Sequence, residues 1–257
     1  MFKIIVCVVL ATAALGAATS EKGANPHIVG GNVSPNGSFP FIVSLRDVKM
    51  KEFFCGGALI HKSYVLTAAH CVEDEAKNIL VGMGSVHLSE QTLVEVEKKI
   101  VHEDYKSTIK GLVNDIALVK LKEPVTLSSN VQLVDFSYSK NLDKMEVTAM
   151  GWGQSEISSF SPVLMHLNKT TMTNSDCNKI LNSMLLQAGP GNICFSGEKN
   201  YGVCFGDSGS PLLYVDDGKQ YTVGIVSWGV PCAAGYPDVF VRVSYYADWI
   251  KKMMENN

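Results

Sequence analysis

The 257-residue chain reads as an all-β protein. Short apolar stretches rich in β-branched residues recur along it: Phe41 to Leu45, Ala58 to Ile60, Tyr64 to Ala68, Ile116 to Leu121, Val147 to Met150, Tyr221 to Trp228 and Val239 to Val243. Clusters of Gly, Pro, Asn and Ser separate these stretches, and such residues turn a chain. Leu93 to Glu97 alternates, with Leu93 and Glu95 on one face and Val94 and Val96 on the other, the period-two pattern of a strand. Many short strands at this spacing build a sandwich or a barrel.

The N-terminus is expected to lie outside the fold. Lys3 precedes a twelve-residue apolar run from Ile4 to Leu15, and the small residues Ala14, Gly16 and Ala18 follow the pattern of a secretory signal. The run is too short to span a bilayer, which needs roughly 20 residues. Residues 1–18 are therefore expected to be removed, leaving a protein free of the membrane that folds where oxidants are present. Cys7 leaves with the signal, and Cys55, Cys71, Cys177, Cys194, Cys204 and Cys232 remain. Six cysteines allow fifteen pairings, and an even count after export favours three disulfides. No pair has CxxC spacing, so neither zinc nor another cofactor is expected.

Further along, Leu133 to Lys144 is more polar and joins two halves of similar size. Thr173 to Leu186 has room for a short helix. Tyr245, Tyr246, Trp249, Ile250 and Met253 follow helical spacing, with Ser244 as the expected N-cap. A formal net charge of -3 supplies no basic field for nucleic acid or an anionic membrane.

Three segments carry chemistry. Cys204-Phe205-Gly206-Asp207-Ser208-Gly209-Ser210-Pro211 flanks a serine with glycines that let the backbone turn and present N–H groups. A serine hydroxyl is a poor nucleophile without a base to take its proton and donors for the oxyanion it creates. Taken alone, the segment also fits an ordinary turn. His70 is the candidate base, because the apolar run Tyr64-Val65-Leu66-Thr67-Ala68-Ala69 delivers it beside Cys71. Asp115 stands at the mouth of the strand Ile116-Ala117-Leu118-Val119, where a carboxylate needs a hydrogen-bonding partner. Alone, it reads better as an Asp capping a strand end.

Together the motifs resemble the chymotrypsin family of serine proteases, across about residues 28 to 254. The resemblance rests on Ile28-Val29-Gly30-Gly31, Thr67-Ala68-Ala69-His70-Cys71, Asp115-Ile116-Ala117-Leu118, Gly151-Trp152-Gly153, Gly206-Asp207-Ser208-Gly209 and Ser227-Trp228-Gly229, in that order. The intervals of 45 residues from His70 to Asp115 and 93 from Asp115 to Ser208 fit as well. The order His, Asp, Ser separates the chain from α/β-hydrolases.

The resemblance implies two six-stranded antiparallel β-barrels, with His70 and Asp115 from the first and Ser208 from the second. It implies disulfides Cys55–Cys71, Cys177–Cys194 and Cys204–Cys232, and an oxyanion hole from the N–H groups of Gly206 and Ser208. It gives Ser227, Trp228 and Gly229 the role of pairing with the substrate backbone. It places Gly202 and Val203 at the base of the specificity pocket, Phe205 nearby, Gly229 on a wall and Asp238 deeper. Residues 19–27 become an activation peptide, cut at His27–Ile28, whose new α-amino group pairs with Asp207. Because that bond follows His rather than Arg or Lys, trypsin is not the expected activator. The peptidase domain is 28–257.

The chain departs from the family pattern in places. Ser210 replaces a common Gly, which strains the loop if positive φ is needed there. Met83 replaces a calcium-binding Glu, so no calcium site is expected. The family disulfide that would use positions Glu146 and Tyr214 is absent.

Gly202 in place of Asp predicts cleavage after Phe, Tyr or Leu. Asp238 keeps open a preference for Arg or Lys, and arthropod chymotrypsins and crab collagenolytic enzymes combine a similar Gly and Asp. A rival from another class is a protease homologue that binds partners without cutting, which usually lacks a triad residue. The expected partners are protein and peptide substrates and protease inhibitors, the expected state a monomer, and the expected setting digestion or venom. Asn32, Asn36 and Asn168 begin sequons that glycosylation can use in a secreted chain.

Overall fold

The structure, a computed structural model, describes residues 28–76, 78–154, 160–230 and 232–257. The expected signal and activation segments, with Cys7 and His27, lie outside the described residues.

Fifteen strands are described. They are β1 (Asn32–Val33), β2 (Ile42–Asp47), β3 (Phe53–His61), β4 (Tyr64–Thr67), β5 (Ile79–Met83), β6 (Thr92–Val101), β7 (Lys106–Thr108), β8 (Gly111–Val113), β9 (Ala117–Leu121), β10 (Glu146–Gly151), β11 (Met165–Met172), β12 (Asn192–Phe195), β13 (Pro211–Asp216), β14 (Lys219–Gly229) and β15 (Asp238–Arg242). Three α-helices accompany them: α1 (Ala69–Val72), α2 (Asn174–Leu181) and α3 (Ala247–Asn256).

The first barrel closes in the order β2-β3-β4-β9-β6-β5. The second closes as β10-β11-β12-β15-β14-β13, with β1 added to the outside of β11. All ladders are antiparallel. Both expected barrels are therefore present. Closure leaves few free strand edges, so short strands suffice.

Sequence patterning accounts for the registers. Val94 and Val96 of β6 pack on the first core while Glu95 and Glu97 face solvent. In β11, Met165, Leu167, Lys169 and Thr171 point inward, and Asn168 and Thr170 point out. β3 extends well beyond the expected Ala58 to Ile60. Its Gly56 and Gly57, outside the expected stretch, serve close approach. A Cβ on Gly56 would overlap the Ser210 side chain, and one on Gly57 would lie 2.7 Å from Val65.

The helix expected within Thr173 to Leu186 is α2, capped by the Thr173 side chain, which accepts from Asp176 N. The C-terminal helix also forms, but Ser244 is not its N-cap. Val243–Tyr246 makes a 3₁₀ turn first, and α3 starts at Ala247 without a side-chain cap. Tertiary bonds fix that start instead. Tyr246 donates its hydroxyl to Asn114 Oδ1 at 2.9 Å, and Trp249 Nε1 donates to Glu103 at 2.8 Å. The three disulfides join Cys55 to Cys71, Cys177 to Cys194 and Cys204 to Cys232. Met83 is buried in β5. Among the described residues no helix is long and apolar enough to cross a membrane.

Candidate active site

β4 and β9 run antiparallel, with Thr67 opposite Ala117 and Leu66 opposite Leu118. The end of one strand therefore lies beside the start of the other, and residues 70 and 115 meet across that edge. Asn114 takes φ 52°, a left-handed turn that Asn tolerates, just before Asp115.

Asp115 is 1% exposed and accepts three hydrogen bonds. His70 Nδ1 lies 2.8 Å from Oδ2, the His70 backbone N–H donates to Oδ1 at 2.9 Å, and Ser227 Oγ donates to Oδ2 at 2.5 Å. These bonds compensate the burial of the charge. They also hold the imidazole with Nδ1 toward the acid, leaving Nε2, 3.8 Å from Cys71 Sγ, as its acceptor nitrogen. Burial works against protonating His70. The Asp115 hydrogen bond and charge, helped by Glu73, outweigh it and raise the pKa above the ordinary 6.5.

Ser208 belongs to the second barrel and is tied to the first. Its carbonyl accepts from Gly56 N at 2.8 Å, and Gly209 N donates to Val226 O at 2.9 Å, next to Ser227. Gly209 packs so closely on Thr67 and Gly56 that a Cβ would overlap both. Gly206 and Gly209 take φ 93° and 78°, which an L side chain resists. Ser210 has no positive φ and is fully buried, so the strain considered for it does not arise.

Asp207 is fully buried and accepts from Gly153 N at 2.8 Å and Cys204 N at 3.0 Å. A Cβ on Gly151 or Gly153 would run into its carboxylate, which explains the glycines around Trp152. Burial pushes its pKa up to about 7, and the two amides only moderate that. Ile28 is fully buried, and Val29 bridges Gly202.

Beside Ser208 opens a cavity of about 160 Å³, lined among others by Val203, Phe205, Trp228, Gly229 and Asp238. Gly202 does not line it. It backs onto Asp238, and a Cβ there would lie 2.6 Å from Oδ2. With Asp238 present, the space an acid at 202 would need is already filled. Asp238 is 4% exposed, accepts from Val203 N at 3.2 Å, and is pushed up to about 7 by burial.

Ser227 has a side-chain role beyond the backbone pairing expected of it. It sits at a bulge between Val226 and Trp228, and its hydroxyl serves Asp115. The sequence reading also passed over Lys169 except as the middle of a sequon. Its inward position was readable from the alternation Leu167, Lys169, Thr171. The sequon residues Asn32, Asn36 and Asn168 are exposed. Cys55, Cys71 and His70 are close enough together to hold a metal, but both sulfurs are spent in a disulfide and offer no thiolate.

The Trypsin family pattern matches residues 28–250. The chain belongs to the trypsin family. This trypsin-family protease is 36% identical over 231 residues to Brachyurin of Leptuca pugilator, covering 87% of this chain and 97% of that one. It is 38% identical over 230 residues to Chymotrypsin-2 of Vespa crabro, covering 88% and 99%. Trypsin-1 of Astacus astacus is 34% identical over 243 residues, covering 87% and 98%. Membership makes the chain a serine endopeptidase that acts on peptide or protein substrates.

Proposed function

We propose that His70, Asp115 and Ser208 are the catalytic triad of this endopeptidase. The reading rests above all on the buried Asp115 carboxylate that grips His70 at two points. Ser208 Oγ attacks the scissile carbonyl while His70 Nε2 takes its proton. Asp115 stabilises the imidazolium, and the oxyanion accepts from the N–H groups of Gly206 and Ser208. The tetrahedral intermediate collapses as His70 protonates the leaving amine. Water, deprotonated by His70, then hydrolyses the acyl-enzyme.

The protein is a secreted zymogen in this reading. Cleavage at His27–Ile28 creates an ammonium that pairs with Asp207, whose buried charge otherwise lacks a counter-ion. Three disulfides favour an oxidising compartment. The mature chain acts as a monomer open to protein inhibitors, and substrate pairs along the backbone of Ser227, Trp228 and Gly229 as an added strand.

The pocket favours large apolar P1 side chains, because Val203, Trp228 and Gly229 line it and no acid stands at Gly202. Asp238 supports a second reading, in which Arg or Lys is preferred. Two peptides differing only at P1 decide between them. The apolar reading expects Phe to exceed Arg in kcat/KM, and an Arg preference of about tenfold, roughly 1.4 kcal/mol, overturns it. Covalent labelling of Ser208 by a phosphonylating reagent, only after Ile28 becomes the N-terminus, tests the triad and its activation. An enzyme that still cuts peptides with Ser208 replaced by Ala refutes the assignment.

A further inference from the structure

The inward face of β11 places one charged side chain inside the second barrel. The Lys169 side chain is 5% exposed. Its Nζ donates to the Tyr201 carbonyl at 3.1 Å, lies 5.4 Å from the centre of the Phe195 ring, and stands 3.8 Å from Glu198. Two of these contacts lead to the specificity pocket. Tyr201 precedes Gly202, which backs onto the Asp238 carboxylate. Phe195 is the cross-strand partner of Asp238.

A buried ammonium and a buried carboxylate are each costly alone. Burial lowers the pKa of Lys169, and the charges of Glu198 and Asp238 oppose this. Burial raises the pKa of Asp238, and the Val203 amide and the Lys169 charge oppose that. Glu198 is exposed, so water and salt screen it. Asp238 shares the buried interior with Lys169, where charges are screened less.

We propose that Lys169 is a specificity-determining residue, an internal counter-cation that balances Asp238 from behind the pocket and so favours apolar over cationic P1 side chains. The inference rests on Asp238 lining the P1 pocket, as read above. An entering Arg or Lys would set a second cation against one carboxylate, whereas Phe or Leu meets a nearly neutral floor.

The test uses the mature enzyme at about pH 8 and two peptides that differ only in Arg or Phe at P1. Lys169→Met keeps the apolar stem and deletes the charge, and the Arg:Phe ratio of kcat/KM is expected to rise about tenfold. Lys169→Arg keeps the charge and should leave the ratio within about twofold. In an Asp238→Asn background, Lys169→Met should also change the ratio less than about twofold, because no carboxylate remains to unmask. An unchanged ratio in Lys169→Met, alongside an Asp238→Asn enzyme with reduced Arg turnover, overturns the role of Lys169 alone. An Asp238→Asn enzyme with an unaltered ratio overturns the pocket reading beneath it. If the Met variant does not fold, wild-type enzyme supplies the answer through benzamidinium and benzyl alcohol. A cation preference beyond about a hundredfold means an unbalanced carboxylate and refutes the proposal, whereas near-equal binding that shifts toward benzyl alcohol in Asp238→Asn supports it.

Discussion

Asp207 should make the uncleaved precursor less stable as pH rises. Its carboxyl is fully buried, and its pKa moves from 3.8 to about 7. The folded chain therefore binds more protons than the unfolded chain between about pH 4 and pH 7. Stability must fall with rising pH across that window and level off above it. At about 1.4 kcal/mol per pH unit, the loss is on the order of 4 kcal/mol. Asp207→Asn removes this pH dependence. It also turns one acceptor into an NH₂ facing the Cys204 or Gly153 amide, at a cost of about 1–3 kcal/mol. Relative to the parent, the variant should therefore gain about 2–3 kcal/mol of stability between pH 5 and pH 8. The assay is urea unfolding at both pH values, with the His27–Ile28 bond intact and Ser208→Ala added to stop self-digestion. Asp238 titrates in the same window in both chains, and the Asp207 charge helps raise its pKa, so the difference between the chains reports Asp207 together with that coupling. The reasoning fails if the parent gains stability from pH 5 to pH 8, or if Asp207→Asn is equally destabilised at both.

Other outcomes follow from the same geometry. Ser227→Ala removes a 2.5 Å bond to the Asp115 carboxylate. Bonds to charged groups are worth about 1.5–3 kcal/mol, so kcat should drop about tenfold or more with KM little changed; steady-state kinetics on one peptide measures it, and a loss confined to KM contradicts the role. Activity of the mature enzyme requires neutral His70. Because Asp115 holds the pKa of His70 above 6.5, kcat/KM should fall as pH drops, with a midpoint above that of free imidazole. Replacing Asp115 by Asn should move the midpoint down in a pH–rate profile.

How much was legible in the sequence varied with the range of the forces involved. Alternation in β6 and apolar runs in β4 and β9 are local, and strand positions followed from them. Boundaries were less legible where a distant neighbour decides. The expected stretch began only at Ala58, yet Gly56 and Gly57 lie in β3, where Ser210 and Val65 leave no room for a Cβ. Ser244 read as a helix cap, yet α3 begins three residues later because Tyr246 and Trp249 are pinned by Asn114 and Glu103.

The sequence alone determined the family, through short motifs whose residue types and order chemistry requires: a hydroxyl between glycines, a histidine after a buried strand, and an acid before another. Only the tertiary structure decided what those side chains meet. The Ser227 hydroxyl came to hold Asp115, Gly202 came to stand behind Asp238, and Lys169 came to share a buried interior with that acid. Hydrogen bonds and charges act through space between residues far apart in the chain, and closing the two barrels is what set those distances.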